Sequence, residues 1–197
     1  AFLDPGDHMT RLLSVAALLL GALLSPLLGA ESNPRVLIKT NAGEIRLELY
    51  PLESPQAVAN FLAYVDSGHY VGTIFHRVIP NFMIQGGGFT DKMIEKPVRD
   101  PVPNESRNHL HNERGTIAMA RTEDPDSATA QFFINVRSNL RLDFDYVSRK
   151  PGYTVFGKVI EGMDVVDGIA LVETHTVAAY DDVPRNPIII EKAQRIE

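Results

Sequence analysis

Arg35-Val-Leu-Ile-Lys-Thr-Asn-Ala-Gly-Glu-Ile-Arg-Leu-Glu-Leu49 alternates apolar and polar side chains on either side of Asn41-Ala42-Gly43. Val36 and Ile38, then Ile45, Leu47 and Leu49, stand against Glu44, Arg46 and Glu48. A period of two belongs to a strand with one face in a core and one in water, so the stretch predicts two half-buried strands joined at that turn. Downstream, Ser54-Pro55 supplies an N-cap and a first-turn proline, and Val58, Phe61, Leu62 and Val65 fall at helical spacing before Gly68. Short apolar runs at Thr73–Ile79, Asn81–Gln85, Thr116–Ala120, Gln131–Val136 and Thr154–Ile160, each bounded by Gly, Pro, Asn or Asp, read as strands. A shorter helix is expected over Met163–Ile169 and a closing strand around Ile188–Ile190. About eight strands with two helices predict a mainly β fold, a closed eight-stranded antiparallel β-barrel capped by two α-helices, because closure leaves no edge strand exposed. Pro97–Asn112, rich in Pro, Asn and His, reads as a surface loop.

Toward the N-terminus, Met9-Thr10-Arg11 opens an apolar run from Leu12 to Leu28 that ends in Leu28-Gly29-Ala30. A basic start, an apolar middle and a small-residue end make the pattern of a secretory signal peptide. Residues 1–8 then read as a vector-derived or upstream extension, 9–30 as a cleavable signal, and 31–197 as one exported, soluble domain with no stable membrane span after processing. A retained anchor is the alternative, but Gly21, Ser25 and Pro26 leave the run short of the roughly 20 residues a span needs. The 197 residues are 44% hydrophobic and 22% charged, ordinary globular composition with enough length for one well-filled core. A net charge of −6 without a Lys/Arg cluster argues against a nucleic-acid partner. The absence of Cys excludes disulfides, thiolate metal sites and cysteine nucleophiles.

In Thr73-Ile-Phe-His-Arg-Val-Ile-Pro80 a permanently charged guanidinium, Arg77, sits inside a segment otherwise suited to burial. It is either a solvent-facing or ion-paired arginine on the barrel surface or a group that acts on a ligand. Its neighbours bear on the choice. Phe75-His-Arg-Val-Ile-Pro-Asn-Phe-Met-Ile-Gln-Gly-Gly-Gly-Phe-Thr90 resembles the signature of the cyclophilin family. Gly115-Thr-Ile-Ala-Met-Ala-Arg121, Ala130-Gln-Phe-Phe-Ile-Asn135 and Val155-Phe-Gly-Lys-Val159 follow in the family's order, and the likeness runs from about Val36 to Ile190. Composition and periodicity by themselves reach an exported β-barrel and no further.

The resemblance implies a peptidyl-prolyl cis/trans isomerase that assists folding without any cofactor or metal, with Arg77 as its catalytic group. Phe82, Met83, Phe133 and Leu142 match the family's proline-pocket positions, and Gln85 and Gln131 its polar ones. Ala120, Arg121 and Thr122 match a strip that pairs with the substrate backbone, where the main chain counts for more than the side chains. Tyr153 stands where animal relatives carry a pocket histidine, as in the exported bacterial branch; with the cleavable signal, the resemblance implies a periplasmic location. Arg141 replaces a Trp or Phe that many relatives carry before the pocket leucine, which argues against strong binding of cyclosporin. The partners implied are proline-containing segments of unfolded or folding proteins, met by a monomer. A Pro-peptide-binding chaperone or adaptor with little turnover is the alternative, and a surface-attached interaction protein tethered by an uncut N-terminus is a third reading.

Other motifs carry less. His109 and His111 would share a strand face, yet no third zinc ligand is evident nearby. Gly86-Gly87-Gly88 lacks the Lys and helix start of a phosphate loop and reads as close backbone packing. Asp124-Pro125-Asp126-Ser127 lacks the later Gly and Glu of a calcium loop and reads as a turn. His76 has no nucleophile setting beside it.

Overall fold

The computed structural model describes residues 32–197, so the upstream extension and the signal expected over residues 1–30 lie outside the described residues. Ten strands and two helices follow in chain order: β1 (Arg35–Thr40), β2 (Gly43–Leu49), α1 (Pro55–Asp66), β3 (Thr73–Ile79), β4 (Met83–Thr90), β5 (Thr116–Met119), β6 (Phe132–Asn135), β7 (Val155–Glu161), α2 (Met163–Ala170), β8 (Thr174–Val177), β9 (Tyr180–Pro184) and β10 (Ile190–Ile196). A 3₁₀ turn, Leu140–Leu142, lies between β6 and β7. The opening alternation forms its hairpin: Val36 pairs with Leu47 and Ile38 with Ile45, all four without exposure.

Eight strands form one antiparallel sheet in the order β10-β1-β2-β7-β5-β6-β4-β3, and β8 and β9 form a separate hairpin. The sheet curls, but the closed barrel expected from the sequence is an overstatement. Its outer strands meet at a seam of one bridge, Ile74 with Ile189, flanked by Gly72 N–H donating to the Ile190 carbonyl (2.8 Å) and Phe75 N–H to that of Ile188 (3.0 Å). A ladder cannot extend past it, because Pro187 has no N–H and its carbonyl accepts from Asn41 Nδ2 at 3.0 Å.

Two further expectations change. β4 runs on through Gly86-Gly87-Gly88, whose bare backbone lies against Phe75, Phe132 and Gln131 as close packing requires. β10 begins at Ile190 and takes in the charged tail, which pairs with β1 and turns its charges outward, Lys39 lying 3.6 Å from Glu191.

The helix expected after Ser54-Pro55 forms, but Ser54 does not cap it with its side chain. The Ser54 hydroxyl donates to the Val155 carbonyl at 2.7 Å. The open N-terminus of α1 is instead met by Glu105, whose two carboxylate oxygens accept from the N–H groups of Gln56 (3.1 Å) and Ala57 (2.9 Å). A carboxylate there satisfies two orphan donors and faces the positive end of the helix dipole. Glu105→Ala is therefore expected to lower stability by about 1–2 kcal/mol. Urea denaturation of the variant beside wild type measures the loss; an unchanged midpoint would contradict the cap.

Candidate active site

At β4, β5 and β6 the curled sheet carries buried side chains on both faces. Inside it lie Phe61 from α1, Tyr70, Phe132 and Phe156, with Phe61 edge-on to Phe132 at 5.6 Å and Tyr70 edge-on to it at 5.4 Å. A second, smaller cluster of Met83, Ala118, Ala120, Phe133 and Val155 lies apart from that interior, with Phe82, Leu142 and Tyr153 packed against it. Strand parity produces the division. Ile84, Ile117, Phe132, Ile134 and Phe156 belong to the interior cluster, and their neighbours Met83, Ala118, Phe133 and Val155 to the other.

Register then aligns the site. Arg77 pairs with Gln85, Gln85 with Phe133, Phe133 with Ala118 and Ala118 with Val155, a row across five strands. At the Arg77 end of this row opens a cleft of about 540 Å³ lined by Arg77, Phe82, Met83, Gln85, Ala120, Arg121, Gln131, Phe133, Leu142 and Tyr153. Met83 and Phe133 are almost fully buried in its floor, while the Arg77 side chain is 45% exposed at its lip. Gln85 Nε2 donates to Gln131 Oε1 at 3.0 Å, joining the two polar groups. A Cβ on Gly88 would stand within 2.6–2.8 Å of the Gln131 side chain, so a bare strand there lets Gln131 lie flat. Thr122 is not in the cleft; it lines an adjoining groove with Arg141 and Lys150, and Arg121, Leu142 and Tyr153 belong to both.

Leu142 and Phe82 are held by a buried amide network. Asn139 Nδ2 donates to the Phe82 carbonyl (2.9 Å) and to Asn135 Oδ1 (2.8 Å), Asn135 Nδ2 to Asn112 Oδ1 (3.2 Å), and Asn112 Nδ2 to Asp143 Oδ1 (2.9 Å). These asparagines went unrecognised in the sequence because, apart from Asn135 and Asn139, which lie four residues apart, each partner is remote in the chain.

The fourth wall was missed too. Ala179, Tyr180, Asp181 and Asp182, from the tip of the β8–β9 hairpin and the start of β9, face the cleft, and the Asp182 carboxylate lies 3.9 Å from Arg77 Nε. No glycine marks this turn; Ala178 takes its left-handed position at φ 52°. Arg141 sits with its guanidinium 4.8 Å over the Phe82 ring.

A family model described as "Cyclophilin type peptidyl-prolyl cis-trans isomerase/CLD" matches residues 35–195. The chain belongs to the cyclophilin family. It is 52% identical over 173 residues to peptidyl-prolyl cis-trans isomerase A of Dickeya dadantii, covering 88% of this chain and 90% of that one. It is 53% identical over 183 residues to the peptidyl-prolyl cis-trans isomerase of Acinetobacter baylyi, covering 93% and 96%. A cyclophilin type peptidyl-prolyl cis-trans isomerase of Cryptosporidium parvum, solved in the presence of the dipeptide Ala-Pro, aligns with TM-score 0.66 and 28% identity over 83% of this chain and 99% of that one. This cyclophilin is thus a peptidyl-prolyl cis-trans isomerase.

Of the remaining motifs, His76 lines the cleft beside Arg77 and the others lie outside it. His109 and His111 are not on a strand: His109 has φ 63° and stacks on Tyr146 at 5.3 Å, while His111 Nδ1 meets Asp143 Oδ2 at 2.8 Å. Asp124-Pro125-Asp126-Ser127 is a turn closed by Ser127 N–H donating to the Asp124 carbonyl at 3.3 Å. His76 is buried edge-on to Phe89 at 4.7 Å, and its Nδ1 has no hydrogen-bond partner. Burial first, and the Arg77 charge second, lower its pKa to about 4. Since the unfolded value is about 6.5, the folded protein binds fewer protons between these values, and stability is complete above about pH 6.5 and lost as pH falls toward 4. Burial likewise lowers His69, which adds to the same loss. Denaturation midpoints should therefore fall between pH 6.5 and 4, less steeply in His76→Leu; parallel slopes would count against this account.

Proposed function

We propose that Arg77 drives isomerisation of X-Pro bonds by donating to the prolyl nitrogen as the bond twists, with the proline ring seated on Phe82, Met83, Phe133, Leu142 and Tyr153. The observation carrying this is a guanidinium at the lip of an apolar cleft walled by those residues. Rotation breaks amide resonance, against a barrier of about 18–20 kcal/mol. The twisted nitrogen becomes pyramidal and gains a lone pair that neither planar isomer presents, so a fixed donor binds the twisted state preferentially. A guanidinium carries its charge throughout the ordinary pH range, and its second arm can hold a neighbouring carbonyl. Gln85, Gln131 and the main chain of Ala120 orient the peptide backbone. No cofactor or nucleophile enters, and His76, neutral and buried, takes no part.

We infer further that the enzyme works as a monomer on proline-limited folding of exported proteins in the periplasm. The pattern of residues 9–30 supports export, and among the described residues no helix is long and apolar enough to cross a membrane. Arg141 over Phe82 sets a hydrated cation where an aromatic wall would serve cyclosporin, so inhibition by that ligand is expected to be weak.

Arg77→Ala is expected to lower kcat/KM on a short Ala-Pro peptide by about 10²–10³-fold in an NMR exchange or coupled assay. Near-equal rates would favour a Pro-peptide-binding adaptor. Wild-type turnover is expected to vary little from about pH 6 to 8; a bell-shaped profile would implicate an acid or base. The exported protein is expected to have the intact mass of residues 31–197, and a product starting earlier would indicate tethering.

A further inference from the structure

Arg121 lies where the family resemblance assigns the main chain to substrate, yet its side chain is the most extensively hydrogen-bonded in the cleft. Its Nε donates to the Gly152 carbonyl (3.1 Å), one terminal nitrogen to that of Pro151 (3.0 Å), and the other to those of Thr122 (2.8 Å) and Glu123 (3.4 Å). The planar fork thus ties the segment after β5 to the segment before β7. Its carbon centre lies 4.6 Å over the Tyr153 ring, and that ring stands edge-on to Phe133 at 5.6 Å. The segment beneath is equally constrained. Gly152 donates its N–H to Ser106 Oγ and accepts from Asn104 Nδ2, both at 3.0 Å, and a Cβ there would collide with the backbone of Leu142 and Asp143. Tyr153 N–H donates to the Leu142 carbonyl at 2.8 Å. The backbone of Tyr153 is therefore set by several bonds, whereas its half-buried ring is sandwiched between Phe133 and Arg121.

We propose that Arg121 is a positioning residue: it clamps the Pro151-Gly152 segment and the Tyr153 ring, and thereby sets the apolar seat of the proline without touching the peptide itself. The inference rests on the isomerase reading of the cleft. A lysine cannot replace it, because a single ammonium lacks both the fork that reaches carbonyls of two segments and the flat face that stacks on the ring. A looser seat weakens binding of planar and twisted peptide alike, and Arg77 remains in place to act on whatever binds.

The test is NMR titration of an Ala-Pro peptide with measurement of its exchange rate at saturation. Arg121→Ala and Arg121→Lys are expected to raise Kd about tenfold and to change the saturated rate less than about threefold. In a Tyr153→Ala background, Arg121→Ala is expected to add less than about twofold, since the group it positions is gone. Restoration of wild-type affinity by lysine, or the full effect in the Tyr153→Ala background, would overturn the proposal. A wild-type rate matched by Arg77→Ala would instead sink the isomerase reading, so the two failures are distinguishable.

Discussion

The interior of the curled sheet is filled by its own side chains, and from that constraint the rest of the molecule follows. Phe61, Tyr70, Phe132 and Phe156 meet at ring separations of about 5–6 Å, so no ligand enters. Binding has to use the outside. An outward face that binds an apolar ring has to carry apolar side chains, and Met83, Ala118, Phe133 and Val155 supply them one residue out of phase with the interior set. That is why β6 is buried at every position and shows no alternation of its own.

Strands make the floor of the cleft, and loops make its walls. The polar stretch from Pro97 to Asn112 is irregular in backbone but engaged in side chain. Glu105 caps α1, Asn104 and Ser106 hold Gly152, and Asn108 Nδ2 donates to the Ser54 hydroxyl (2.6 Å) and the Val155 carbonyl (2.9 Å). Each such bond contributes only about 1 kcal/mol net, but leaving its partner buried and unpaired costs more. Together with Asn112, Asn135 and Asn139, this shell gives Leu142 and Tyr153 fixed backbones on which a shaped seat can stand.

Electrostatically the cleft is organised around the guanidinium of Arg77. Arg77 has Gln85 beside it in register and Asp182 across from it at 3.9 Å, a separation that leaves the guanidinium oriented without a tight carboxylate bond. The neighbouring His76 is kept neutral by burial, its pKa lowered to about 4, so the charge beside Arg77 stays constant around neutral pH.

Periodicity and motif order determined a great deal by themselves: the β1–β2 hairpin, both helices, the antiparallel sheet, and a set of side chains that mostly line one cleft. Local spacing encodes which face a residue takes, and that is sufficient for Met83 with Gln85 and for Gln131 with Phe133. Only tertiary structure decided that Glu105 caps a helix it follows by some fifty residues, that Ser54 turns to Val155, that β10 absorbs the charged tail, and that the β8–β9 hairpin closes the cleft. It alone decided that Arg121, which lines the cleft, bonds the carbonyls of Pro151 and Gly152 through its side chain. The physical reason is the same throughout: such residues act on partners distant in the chain, and a hydrogen bond or ion pair between remote segments leaves no periodic trace in either.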